Sequence, residues 1–389
     1  MLVGGVFTRL VPIGQPAYRL NLLSATCSTA TAVLVFLTVI RLSWRFEHLS
    51  VIVRYFAAAA AALALATSRT LWPQSVIAEV YGLELLFAAA IAYVLAAPPG
   101  GKYSLWPPAF IAGLAMTHHT TILFSIAAGA IAVIDQYRRR LLDIRLISVA
   151  TALFLLPLSL YLLLPLRAAQ HPASNWGDPS TFGRFVDVVS GAPYHYLIDR
   201  NPAHAVRAFP AIVRLAFGQF AWWIIPLAVA GIAALWERDR PYAAYLSAVI
   251  VLAAAFLSAY HAEGREVYML QAYLALCIAG GVGMMVIARW LQQACSPRMA
   301  ARIPWVAGAA AAVTVIPWTV AGFADFNLRH DWATWEHARD TLAAAPRDGT
   351  LLTDSDEATF PLWYAQRAVH LRQDVQIVDT RFRDPVHQR

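Results

Sequence analysis

Apolar runs of roughly twenty residues recur along almost the whole chain, and they restrict its fold more than any other feature. A helix needs about 20 apolar residues to cross a bilayer. Such runs fall at about 20–40, 52–70, 80–97, 108–119, 121–136, 145–165, 209–235, 241–260, 267–290 and 304–323. Only 14% of the 389 residues are charged and 59% are hydrophobic, whereas soluble domains carry about 25% charge. The expected fold is an all-α polytopic membrane protein with about ten spans. The net charge of +7 comes from Arg with almost no Lys. In such a chain the excess anchors cytoplasmic loops and does not point to nucleic acid.

The positive-inside rule fixes the expected topology. Arg41, Arg45, Arg54, Lys102, Arg138, Arg139, Arg140, Arg145, Arg238, Arg240, Arg289, Arg298 and Arg302 all fall on one side only if 108–136 crosses twice. The turn Thr117-His118-His119-Thr120 then faces outward, with 68–80, 167–207, 261–267 and the chain beyond Phe323. Met1 also falls outside, and Met1–Leu10 is too short to span, so an upstream span is expected. Residues 1–10 suit an interfacial amphipathic helix. Cys27, Cys277 and Cys295 lie in or beside apolar runs, without metal or disulfide spacing, and read as packing residues.

Two domains are expected: a membrane domain over 1–326, with a long outer loop at 168–207, and an extracytoplasmic α/β segment over 327–389 that stops before a sheet is complete. In the loop, 181–190 reads as an amphipathic helix. In the tail, 331–345 and 357–370 read as helices and 349–353 and 375–379 as strands.

Several polar residues invite a role. Glu79, in the stretch Ser68–Glu84 between two spans, has no basic residue within three positions. A carboxylate at the mouth of a membrane bundle is costly unless used, or unless it sits solvated among headgroups. His118 and His119 are adjacent, so a regular helix would turn only one inward. Arg167 and Arg265 stand beside outer helix ends, where either phosphate recognition or interfacial anchoring suits an arginine; Arg265 also has Glu263 and Glu266 as salt-bridge partners in sequence. Asp178, before Pro179, suits a helix cap. Asp354 and Asp356 form a weak carboxylate pair.

Six short motifs together carry a resemblance. NLLSA (21–25), WPQSVIAEVYGLE (72–84), GLAMTHHTTIL (113–123), LPLRAA (164–169), NWGDPST (175–181) and TDSDEATFPLWYAQ (353–366) occur in this order. They resemble a bacterial membrane family of unknown function, related to the animal transmembrane protein O-mannosyltransferase, within the GT-C glycosyltransferase superfamily. The resemblance implies sugar transfer from a polyprenyl-phosphate donor to a protein or glycan acceptor on the outer face of the bacterial cytoplasmic membrane. It implies a donor and acceptor groove drawn from Glu79, His118, His119, Arg167, Trp176, Asp178 and Arg265. A histidine or arginine would meet phosphate, Trp176 would stack on a sugar, and Glu79 would orient an acceptor. The resemblance fixes no cofactor; a divalent cation is compatible, and holding a metal is the alternative role for Glu79. The acidic DSGE-like loop and HPPG that supply the family's expected base do not occur here, so this sequence is expected to be inactive as it stands. The alternatives are a non-enzymatic lipid-linked glycan binder, a flippase, or an envelope assembly scaffold. The apolar mid-depth of the spans disfavours a flippase.

Overall fold

The computed structural model describes residues 2–98, 105–137, 143–172, 175–262 and 264–380. Lys102, Arg138, Arg139, Arg140 and Glu263, used in the topology and site reading, lie outside the described residues. The chain forms two compact units, Met1–Leu164 with Val186–Phe326, and Pro165–Phe185 with Asn327–Arg389. The first part of the expected outer loop thus groups with the C-terminal segment.

The first unit is a bundle of apolar helices. Among the described residues of the whole chain, Pro16–Ser43, Ile144–Ala168, Arg240–Ala259, Arg265–Ala294 and Pro297–Ala344 are long and apolar enough to cross a membrane, the second and last running on into residues of the second unit. Val51–Ala66, Tyr81–Leu95, Trp106–Met116 and Thr120–Gln136 are shorter apolar helices. Eleven residues rise about 16 Å, so Trp106–Met116 alone falls short of a ~30 Å hydrocarbon core. Local chemistry sets several starts. Ser50 Oγ accepts from Val53 N at 3.3 Å, Asp143 Oδ1 from Arg145 N at 3.0 Å, and Asp239 Oδ1 from Tyr242 N at 3.3 Å. Each satisfies an amide that the first helical turn leaves unbonded.

The core centres on Leu270–Ala294, whose residues from Leu270 to Met285 are almost all buried. Ile224–Arg238 packs against it through glycines. A Cβ on Gly231 would strike the Ala279 carbonyl, and one on Gly283 would strike the Leu227 carbonyl. Small residues let helix backbones approach where lipid supplies no hydrophobic drive.

Leu105 and Trp106, at the start of one helix, cluster with Val133, near the end of the next. The chain therefore reverses at Thr117–His119, as the double crossing of 108–136 requires. Ends of helices accordingly sort into two sets. One set gathers Arg41, Arg45, Tyr93, Gln136, Arg238 and Arg240 around a shared cavity. The other gathers Glu84, His119, Thr121 and Gln271.

The expected single span at 209–235 is two helices, Pro202–Phe217 and Ile224–Arg238. Gln219 breaks it: its side chain is buried and its Oε1 accepts from Thr70 N at 2.8 Å. Phe220 beside it packs edge-on to Tyr273, with ring centroids 5.6 Å apart. The expected 52–70 helix stops at Ala66, and a short helix, Leu71–Val76, follows the turn. Met1–Leu10 is helical from Leu2 and buries none of its residues.

In the second unit, Thr350–Thr353 and Gln376–Asp379 pair in parallel, with helices Ala333–Ala344 and Asp356–Arg367 packed on each other through Ala338, Leu342, Leu362 and Ala365. The second helix ends three residues before the expected His370, which takes a left-handed φ of 61°. Phe182–Ser190 is the expected amphipathic helix.

Candidate functional site

The site is built where two helices begin or break. Helix Tyr81–Leu95 carries Glu84 in its first turn. Between Trp106–Met116 and the next helix, Thr117–His119 is not helical, and His119 is extended at φ −148° and ψ 140°. The broken backbone lets both adjacent histidines meet the 80–84 turn and its helix, so the limit that a regular helix would set does not apply here. His118 Nε2 lies 2.9 Å from the Val80 carbonyl, and its ring sits 6.1 Å from Phe87.

His119 joins a buried polar network. Its Nδ1 lies 2.6 Å from Thr121 Oγ1 and 3.4 Å from Glu84 Oε2. Thr121 Oγ1 donates to Glu84 Oε1 at 2.5 Å. Gln271 Nε2 donates to the same carboxylate oxygen at 2.7 Å and to the Thr121 carbonyl at 2.8 Å. Gln271 Oε1 in turn accepts from Ser125 Oγ at 2.6 Å and Ser125 N at 3.2 Å. Glu84, Thr121, Ser125 and Gln271 are all buried, as polar groups inside a membrane bundle must be when they bond to one another.

The network selects a tautomer. Thr121 has one hydroxyl hydrogen, and it goes to Glu84. His119 Nδ1 must then donate to Thr121 Oγ1, which also suits its approach to Glu84 Oε2. The Thr121 amide lies 3.4 Å from the same nitrogen and would need the opposite role; the shorter contact decides. Nε2 of His119 is left as the acceptor in the neutral ring. The side chain is 25% exposed, against 7% for Glu84. His119 is thus the accessible end of a chain of bonds whose inner end is sealed.

An aromatic wall continues from it. The rings of His119 and Tyr81 are 5.7 Å apart, Tyr81 and Tyr268 6.1 Å, and Tyr268 and Tyr260 5.1 Å. Phe256 stacks on Tyr260 at 4.9 Å. Arg265 closes this wall, donating to the Tyr260 carbonyl at 3.0 Å and lying 3.2 Å from His261 Nδ1. Glu79 precedes the wall by two residues. It is exposed, and its amide bonds back to the Ile77 carbonyl. The costly buried carboxylate is therefore Glu84 and not Glu79, which stands in solvent's reach at the helix start.

The structure thus brings Glu79, His118, His119 and Arg265 to one end of the bundle. Arg167, Trp176 and Asp178 belong to the second unit. Arg167 lies 3.3 Å from Gln170 Oε1. Trp176 packs on Phe360, ring centroids 6.2 Å apart. Asp178 accepts from Asn175 Nδ2 at 2.8 Å and pairs with Arg184. It does not cap the next helix as expected: its partners are side chains, it takes a left-handed φ of 37°, and the amide of Arg184 points to Thr181 Oγ1. Asp354 and Asp356 are exposed. Among the described residues no group of three or more His, Cys, Asp or Glu is placed to hold a metal ion.

Glu84, Thr121, Ser125 and Gln271 escaped the sequence reading as site residues. Their signal was present, since each is polar within or at the edge of an apolar run, and such residues are functional candidates by default.

These features define a class before any particular relative. The fold matches, nearly end to end, the structure of ArnT from Cupriavidus metallidurans bound to undecaprenyl phosphate, with TM-score 0.59 and 15% identity over 98% of this chain and 78% of that one. The apo form of the same protein matches with TM-score 0.56 and 13% identity over 94% and 77%. The chain therefore has the GT-C fold. The Protein O-mannosyl-transferase TMEM260 N-terminal domain matches residues 1–141, and the TMEM260-associated domain 2 matches 334–384. Residues 1–141 and 334–384 are thus TMEM260-like, within a multi-pass membrane protein of GT-C fold.

Proposed function

We propose that this protein carries, at the histidine end of the bundle, the donor and acceptor site for sugar transfer from a polyprenyl-phosphate donor to a protein or glycan acceptor, and that it is inactive without the acidic base of the DSGE-like loop. The observation that carries the reading is the nearly complete match to a GT-C fold whose solved relative binds undecaprenyl phosphate, joined to the TMEM260 match over the first 141 residues. That end then faces the extracytoplasmic side of a bacterial cytoplasmic membrane, with the arginine-rich end inside.

Glycosyl transfer from a lipid phosphate needs donors aimed at the charge that grows on the leaving phosphate. His119 suits this role. Glu84 and Thr121 fix its ring, and protonation at Nε2 turns it into a cationic donor. His118, held on the Val80 carbonyl, and Arg265, fixed on the Tyr260 carbonyl, are the further donors we assign to phosphate. Glu79 is assigned to the acceptor. Within the second unit, taken by itself, we assign Asp178 to holding the 175–184 turn in shape through Asn175 and Arg184. Glu84 is a positioning residue that acts through His119.

The test is a proteoliposome assay with a polyprenyl-phosphate mannose donor, scored both for donor binding and for mannose released or transferred. We expect saturable donor binding, weakened at least about tenfold in His119→Phe, a change that keeps ring packing on Tyr81. Mannose transfer that His119→Phe leaves intact would refute the assignment of this end. Release or transfer by the unaltered protein would overturn the expected inactivity and put the base elsewhere in the chain, whereas donor binding without release fits the absent base and a lipid-linked glycan binder alike.

A further inference from the structure

The opposite end of the bundle holds a cavity of about 760 Å³, which the proposed transfer does not use. Ligand pockets usually measure about 300–1,000 Å³. Glu84 and Tyr93 lie nine residues apart on one helix, so this cavity sits about 14 Å along it from the histidine site. Its walls combine two chemistries. Leu37 and Ile40, from the helix Pro16–Ser43, and Trp44 just past its end supply an apolar side, and Arg41, Arg45, Arg238 and Arg240 supply charge.

Those charges are largely uncompensated. Asp239 is the one carboxylate among the lining residues, and it pairs with Arg45. Among the described residues no carboxylate pairs with Arg41, Arg238 or Arg240. Arg41 donates to the Tyr93 carbonyl at 2.8 Å and lies over the Tyr93 ring at 4.0 Å. Arg238 lies over Phe46 at 5.0 Å, and Arg240 over Trp236 at 5.7 Å. Aromatic faces steady a guanidinium but leave N–H groups free for an anion. Arginines that only anchor a loop spread outward into headgroups. These line a concave space with an apolar wall, which suits a ligand that is anionic at one end and oily at the other.

We propose that this cavity binds the phosphate headgroup of an anionic phospholipid, with Arg238 and Arg240 on the phosphate and the first acyl carbons along Leu37 and Trp44. Planar guanidinium groups recognise phosphate by paired hydrogen bonds. Each arginine near a membrane surface adds about fivefold in affinity for anionic lipid.

Native mass spectrometry of the full chain, released from micelles doped with phosphatidylglycerol or phosphatidylcholine, tests this. Phosphatidylglycerol should be retained, phosphatidylcholine should not, and glycerol 3-phosphate should compete poorly. The double change Arg238→Ala with Arg240→Ala should weaken retention roughly 20-fold. Arg298→Ala with Arg302→Ala, which removes equal charge from exposed residues outside the cavity, should leave it intact. Leu37→Trp, which keeps every charge but narrows the apolar wall, should also weaken it and covers the case in which the arginine variant fails to fold. Equal loss in the two arginine pairs would overturn the proposal, because general surface charge would then explain binding. Retention of glycerol 3-phosphate as strong as that of the lipid would overturn it too. His119→Phe should leave retention unchanged, so the result stands apart from any outcome of the transfer assay.

Discussion

At one end of the bundle, Glu84, Thr121, Ser125 and Gln271 are each under a tenth exposed and bonded to one another. At the other end, Arg41, Arg238 and Arg240 face a cavity and find ring faces and carbonyls in place of carboxylates. The same apolar helices connect the two ends, so the contrast comes from what caps them. A sealed network fixes side chains in one arrangement and presents a single accessible ring, His119. An open cationic pocket leaves its charge available to a ligand. Precise positioning suits chemistry, and adaptable charge suits binding.

The contrast rests on the shared core, so the largest effect should come from there. Gly283→Leu drives a side chain into the Leu227 carbonyl. It should destabilise by more than ~3 kcal/mol and loosen both ends together, seen as lower thermal stability in detergent. Glu84→Ala should act at one end only. It strips the shared acceptor from Thr121 and Gln271 and should cost about 3 kcal/mol, while lipid retention at the arginine end survives. Gln271→Leu removes two donated bonds and the link to Ser125 and should cost about 2 kcal/mol. Arg238→Ala with Arg240→Ala should change stability by less than ~0.5 kcal/mol, because exposed charges contribute little to folding. Equal costs for the sealed and open ends would erase the distinction between them.

The smallest expected effect is at the rim of the histidine end. Asp199 accepts from the Asn201 amide at 2.8 Å, pairs with His204, and lies 3.6 Å from His261. The Asn201 amide first, and His204 second, hold its carboxyl below the ordinary 3.8. A depressed carboxylate stabilises the fold above its unfolded value, and that contribution is lost as pH falls through the folded one. The protection factor of the Asn201 amide, its exchange rate relative to an unstructured amide at the same pH, should therefore be high near neutrality and fall below about pH 4. Asp199→Asn should abolish that pH dependence.

Hydropathy and arginine placement made much of the fold legible. They marked most helices and required the reversal at Thr117–His119. They did not show the break at Gln219, because GQFAWWIIP reads as continuous apolar sequence and the partner of Gln219, Thr70, is 149 residues away. The site was legible in outline through the histidine pair. Glu79 and Glu84 look alike in sequence, both near a span edge, and only tertiary packing buries one of them. Gln271, 187 residues from Glu84, completes the network by a contact that no local pattern encodes. Arg167, Trp176 and Asp178 read as neighbours of the same groove; what sequence did not show is that their segment groups with the C-terminal one.

The most direct test of the transfer site is photo-crosslinking with a diazirine-bearing polyprenyl phosphate, followed by peptide mapping of the labelled protein. The account predicts labels in 77–84, 117–122 and 260–268, suppressed by unlabelled donor and by His119→Phe. Labels confined to the arginine-lined cavity, with none near His119, would contradict it.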